Sequence, residues 1–129
     1  MAEKDVIRTD KAPGPFQGAP YNQAIRVGDL VFVAGQLGIS LDTGSLAGAD
    51  VGAQTEQIMA NLSVILEAAG SGLDKLVKTT VFLMDLGDFA AMNDVYAAHV
   101  GDRPPARSTV QISGLPSGAL VEIEAVAST

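Results

Sequence analysis

The spacing of apolar positions changes several times along the chain, and each change marks an element. Ala24-Ile25-Arg26-Val27 and Leu30-Val31-Phe32-Val33-Ala34 are two β-type runs separated by Gly28-Asp29. That interruption predicts a two-residue hairpin, because glycine tolerates the positive φ that such turns need. Ile58, Leu62, Ile65, Leu66 and Ala69 then fall at i, i+4, i+7, i+8 and i+11. This is one apolar stripe on an α-helix. Asp50 suits its N-cap and Gly70 its C-terminal stop. Residues 76–84 are rich in β-branched and aromatic side chains, as in a strand buried on both faces. A second helix starts near Asp88, with Phe89, Met92, Tyr96 and His99 on one side. Arg103-Pro104-Pro105 is expected to end it. Strands at 107–112 and 120–126 follow, joined by a loop at 113–118. Residues 1–20 carry Pro13, Gly14, Pro15, Gly18 and Pro20, which leaves room only for a short strand near 5–9.

The predicted order is β(β)β–α–β–α–β–β. It forms one domain over residues 1–129, of the α/β class, with a mixed sheet and two helices on one face. The other sheet face then lacks a cover. Composition strengthens that point. The chain is 47% hydrophobic, only 18% charged and 5% aromatic, so apolar surface is expected to meet other subunits.

Charge removes whole classes of function. Eight Lys and Arg are scattered among fifteen Asp and Glu, for a net charge of −7. Clustered cations are needed for phosphate backbones and anionic membranes, so neither nucleic acid nor membrane is expected as a partner. A small anionic substrate needs only one well-placed Arg. The chain has no Cys and a single His, which argues against thiolate chemistry and multi-histidine metal sites. No secretory leader or apolar run of about 18 residues is visible, so a cytoplasmic location is expected. No dinucleotide, phosphate-loop or nucleophile-elbow pattern is found.

The last two strands carry the candidate chemistry. Alternation in Val121-Glu122-Ile123-Glu124-Ala125 puts both carboxylates on one face, and Arg107, Thr109 and Gln111 share a face of the preceding strand. Were these strands an antiparallel pair, Arg107 would stand opposite Glu122. The plain reading is a cross-strand ion pair. The sharper one is a site, in which Arg107 holds a substrate carboxylate and Glu122 activates water. Spacing leaves both open. Tyr21 can stack on a ligand or cover a core edge. Asn93 is either solvated or bonded to a loop. His99, near a helix end, reads as packing or dipole chemistry rather than as a base.

The strings AGQLGI (34–39), VKTTVFLMDLGDFAAMN (77–93), PPARSTVQI (104–112), LP (115–116) and VEIEA (121–125) resemble the RidA/YjgF family, from about residue 5 to 127. The resemblance implies a chorismate-mutase-like fold and a homotrimer with clefts between subunits. It also implies cofactor-free hydrolysis of 2-imino acids and their enamine tautomers to 2-keto acids and ammonia. Residue by residue, Arg107 matches the arginine that clamps the substrate carboxylate, and Glu122 the glutamate that positions water. Tyr21 matches the cleft tyrosine; Gly14-Pro15-Phe16 looks like that motif but fails on spacing. Asn93 matches a cleft asparagine and Gly35 a glycine whose N–H faces the carboxylate. The chain departs from the family at Ala34, often Ser, and at Thr109, often Cys. Thr109 is expected to act through its backbone carbonyl and to tune rate or substrate range. The alternative reading is a non-catalytic module that binds small carboxylates such as 2-keto acids in the same clefts. The resemblance also brings a ribonuclease reading, which the charge disfavours, and chorismate mutase, which shares the fold alone.

Overall fold

The computed structural model describes residues 3–129; Met1 and Ala2 of the expected 1–129 unit lie outside the described residues. The hairpin at Gly28 is present. Strand β2 (Ala24–Val27) pairs antiparallel with β3 (Leu30–Leu37), Val27 opposite Leu30. Gly28 turns the chain at φ 58°. Strand β1 (Lys4–Ile7) adds to the outer edge of β2. Helix α1 (Val51–Ala68) and helix α2 (Phe89–Val100) lie where the apolar periodicity put them. Strands β4 (Leu76–Leu83), β5 (Ala106–Gln111) and β6 (Val121–Ser128) complete one six-stranded sheet, ordered β1-β2-β3-β6-β4-β5. All pairs are antiparallel except β4–β5.

Both helices cover one sheet face. Ile58, Leu62, Ile65, Leu66 and Ala69 of the predicted stripe are all buried. They pack on alternate residues of the central strands, among them Val31, Val81, Val121 and Ile123, each fully buried. The opposite face carries Val6, Leu30, Phe32 and Val110 at 41–46% exposure. Register puts these on the side to which Glu122 and Glu124 point. Monomeric surfaces rarely keep such residues together without a use.

Four expectations are corrected. First, β5 does not pair with β6. A parallel pair needs a long crossover, and α2 supplies one from β4 to β5, so β5 takes the free edge of β4. Strand β6 then inserts between β3 and β4, and β4 separates Arg107 from Glu122. Second, β4 is buried on its helix side alone within one chain. Thr79, Val81 and Leu83 are covered, whereas Lys78, Thr80 and Phe82 keep partial access to solvent. Third, α2 ends at Gly101, whose φ of 69° breaks the helix before the prolines are reached. Fourth, Asp50 stands at the N-cap of α1, but its side chain makes no capping hydrogen bond.

Candidate functional site

Two groups of the candidate residues form, one on each face of the sheet. The first is built around Glu122. Strand β3 is irregular between Val33 and Gln36, and this bulge brings Gly35 beneath the Glu122 side chain. A Cβ on Gly35 would lie 2.7 Å from both the carboxyl carbon and Oε1 of Glu122, so no larger residue leaves the carboxylate in place. Tyr21 closes the other side. Its hydroxyl accepts the Phe16 N–H at 2.6 Å and ties down the turn at Phe16–Gly18. Gln23 fastens the same segment by donating to the carbonyls of Thr9, Ala12 and Pro13, while its Oε1 accepts the Thr9 N–H at 2.7 Å. The result is a cleft of about 390 Å³ whose lining includes Phe16, Tyr21, Gly35, Leu37, Pro116 and Glu122.

Glu122 is half-buried, and burial lifts its pKa above the ordinary carboxylate range. Repulsion from Glu124, two residues along the same strand face, adds to the rise. Among the described residues no cation lies within 4 Å of it. A carboxylate of raised basicity, without a counter-ion and beside a cleft, is suited to taking a proton from water.

The second group lies on the helix side of β5. Arg107 stands in register with the buried Thr79 of β4 and so points towards α2. Its guanidinium carbon is 4.9 Å from the centre of the Tyr96 ring and 5.4 Å from that of Phe89. Nη1 approaches Met92 Sδ at 4.0 Å. Two ring faces and a thioether hold the cation in place without neutralising it, and no carboxylate pairs with it among the described residues. Tyr96 is anchored in turn by a 2.6 Å hydrogen bond between its hydroxyl and Thr79 Oγ1. Burial raises the Tyr96 pKa, against smaller lowering effects of that hydrogen bond and of Arg107, so the ring stays neutral. Thr109 is on the same strand face as Arg107. Asn93 shares a helix face with Phe89 and Tyr96 at i−4 and i+3, and its buried Oδ1 has no hydrogen-bond partner. A buried acceptor left unpaired costs about 1–3 kcal/mol.

The structure thus joins Tyr21, Gly35 and Glu122 in one group, and Arg107, Thr109 and Asn93 in another. It does not join the two. Register places Arg107 and Glu122 on opposite faces, with β4 between their strands, which removes the intrachain ion pair. Sequence reasoning missed Phe89, Met92 and Tyr96 as the bed of Arg107; their spacing read as ordinary core. Phe16, set aside on spacing, lines the Glu122 cleft. His99 donates or accepts at 2.8 Å with Glu56 Oε2 and links α2 to α1. Among the described residues no three His, Asp or Glu side chains gather as metal ligands, and no helix is long and apolar enough to cross a membrane.

An acidic six-stranded α/β fold, backed by two helices on one face and carrying a group of candidate residues on each, defines the class. The family model described as Endoribonuclease L-PSP matches residues 9–129. A RutC family protein of Pyrococcus abyssi is 48% identical over 96% of each chain. Reactive Intermediate Deaminase A of Arabidopsis thaliana is 43% identical over 97% of this chain and 66% of its own length. Among solved structures, RidA from an Antarctic Psychrobacter superimposes at TM-score 0.91 with 42% identity, covering 97% of this chain and 99% of that one. Escherichia coli TdcF with bound serine does so at TM-score 0.88 with 38% identity, covering 97% and 98%. The chain belongs to the RidA/YjgF family.

Proposed function

We propose that the protein hydrolyses 2-imino acids and their 2-enamino tautomers to 2-keto acids and ammonia, as a cytoplasmic homotrimer with its sites between subunits. One observation carries the reading. Arg107, unpaired and bedded on aromatic rings, and Glu122, unpaired and of raised basicity, are complementary halves of a carboxylate-and-water site that one chain keeps apart. A second copy can bring the Arg107 group of one subunit against the Glu122 cleft of the next. The exposed apolar sheet face supports association, and the Arabidopsis relative's name supports the chemistry.

Arg107 binds the substrate carboxylate in a forked pair of hydrogen bonds and removes its orientational freedom. Tyr21, Gly35 and Asn93 complete the binding surface, Gly35 through its N–H and Asn93 through its unpartnered carbonyl. Glu122 takes a proton from water as the water oxygen bonds to the carbon of the protonated imine, which gives a neutral carbinolamine. Glu122 then returns that proton to the carbinolamine nitrogen while the C–N bond breaks, and the new hydroxyl gives its proton to the Glu122 carboxylate, and from there to solvent, as it becomes the keto oxygen. Ammonia leaves. Thr109 offers its backbone carbonyl to the nitrogen. No cofactor takes part in these steps.

Bound serine in TdcF, 38% identical, favours a second reading: a non-catalytic binder of small carboxylates. One assay separates the two. An L-amino-acid oxidase generates the imine in situ, and semicarbazide traps what remains. Added protein is expected to accelerate imine loss, and Arg107→Ala to lower kcat/KM about a hundredfold or more, a loss of about 3 kcal/mol of transition-state binding. Carboxylate binding without turnover selects the second reading. Full activity in Arg107→Ala removes the clamp.

A further inference from the structure

Next to the Glu122 cleft is a second pocket of about 360 Å³. The two adjoin through Phe16, Tyr21, Gly35 and Leu37, which line both. Beyond these the walls include Pro15, Ile39 and Leu41. No charged residue lines the pocket. Of its two buried glutamines, Gln23 has its amide N–H groups on backbone carbonyls of the N-terminal segment, and Gln36 donates to the carbonyl of Ala34 at 3.0 Å.

Backbone strain concentrates on the same walls. Among the described residues Gln17 (φ 53°) and Ser117 (φ 60°) are the only non-glycine residues of positive φ, and both line this pocket. Each is followed by a left-handed glycine, Gly18 at 66° and Gly118 at 70°. This region is disfavoured for a residue with a Cβ and persists where the surroundings impose it, commonly at ligand sites. Both turns are pinned. Ala19 donates to Phe16 O at 3.1 Å, Ala119 to Pro116 O at 3.0 Å, and Phe16 to the Tyr21 hydroxyl. Two separate segments, distant in sequence, are thus held in strained shapes around one uncharged hollow.

We propose that this pocket is a side-chain subsite, which makes 2-imino acids with a bulky apolar side chain, of isobutyl to benzyl size, the preferred substrates. The proposal rests on the deaminase reading above. With C2 of the substrate beside Glu122, a side chain passing Tyr21 and Leu37 enters a space of about 360 Å³, which is of the size that holds a whole small ligand and so has room for an isobutyl or benzyl group. The absence of charge excludes side chains ending in a carboxylate or ammonium, which would lose hydration without a partner. Smaller substrates leave the subsite filled with water.

The test compares kcat/KM for 2-imino-3-phenylpropanoate and 2-iminopropanoate, both generated in situ, in wild type, Leu41→Trp and Ser40→Phe. Leu41 is half exposed and Ser40 partly so, so neither change threatens folding. Wild type is expected to favour the phenyl substrate, and at least one filled variant to lower the phenyl-to-methyl ratio tenfold or more. A ratio below one in wild type, or unchanged in both variants, overturns the subsite. Calorimetric binding of the corresponding 2-keto acids keeps the two proposals distinct. If neither imine is hydrolysed, the deaminase reading fails. The subsite then stands only if wild type binds 3-phenyl-2-oxopropanoate more tightly than 2-oxopropanoate and the variants erase the difference; equal binding overturns it.

Discussion

At the scale of single residues, Glu122 is the group expected to set the pH behaviour of the proposed site. Burial and Glu124 both favour its protonated form, so its folded pKa exceeds its unfolded value. Such a group contributes stability at pH below its unfolded pKa, and the contribution is lost as pH rises through the folded pKa. Two opposite effects follow for Glu122→Gln. Activity is expected to fall about a hundredfold or more, because the base is gone. Thermal unfolding at pH 7 is expected to move upward, by less than about 1 kcal/mol because the cleft is open to solvent, with no gain near pH 4. Melting curves at the two pH values check the sign: a variant less stable than wild type at pH 7 contradicts the desolvation argument. Wild-type kcat/KM should rise with pH as Glu122 ionises, through a midpoint that burial and Glu124 raise and that an Arg107 brought in by a second copy lowers. The sequence showed Glu122 and Arg107 as the residues to watch. It could not show that a side chain at Gly35 would displace the Glu122 carboxylate, 2.7 Å from the missing Cβ, because that approach depends on a bulge.

At the scale of elements, α2 does more than cover the sheet. Phe89, Met92 and Tyr96 form a shelf on which Arg107 of β5 rests. A cation over an aromatic face at an accessible site is worth about 0.5–1 kcal/mol. Phe89 is 42% exposed, so Phe89→Leu tests the shelf without opening the core. The Kd for a 2-keto acid and the KM are expected to rise about twofold to fivefold, with kcat and melting temperature nearly unchanged. A loss confined to kcat would point instead to a role in the chemical step. Element existence was legible because local periodicity encodes it: the stripe from Ile58 to Ala69 and the Gly28 turn appear as predicted. Partner choice was not. Alternation tells which residues of β5 and β6 share a face. It is silent on which neighbour a strand takes and in which direction, because that is decided by the α2 crossover and by competition among strands for the core.

At the scale of the whole molecule, the separation of the two groups of candidate residues is the main consequence of the topology. With β6 between β3 and β4, and β5 outside β4, Arg107 and Glu122 face opposite ways. No rotamer change reunites them in one chain. The exposed apolar face bearing Leu30, Phe32 and Val110 is the surface on which the proposed association would rest. Subunit mixing tests this. Arg107→Ala and Glu122→Ala are each expected to be inactive alone. Co-refolded at equal amounts, they are expected to regain measurable imine hydrolysis, since some interfaces then join an intact Arg107 to an intact Glu122. No recovery, in an oligomer shown to contain both variants, means that the two residues do not act across an interface. The net charge of −7 suits a small-molecule enzyme and opposes a polyanion in the same clefts.

The sequence by itself determined the element types, the helix stripe, the hairpin, the apolar and acidic character of the chain, and the residue types able to bind a carboxylate and activate water. These are local properties: periodicity, turn chemistry and charge act over a few residues. The tertiary structure alone decided that β4 lies between the strands of Arg107 and Glu122, that the two side chains point to opposite faces, and that Tyr96 and Phe89 hold the guanidinium. It also decided that Gln17 and Ser117 meet around one pocket. Each of these depends on contacts between segments tens of residues apart, where the outcome is set by which strands and helices bury the most surface together.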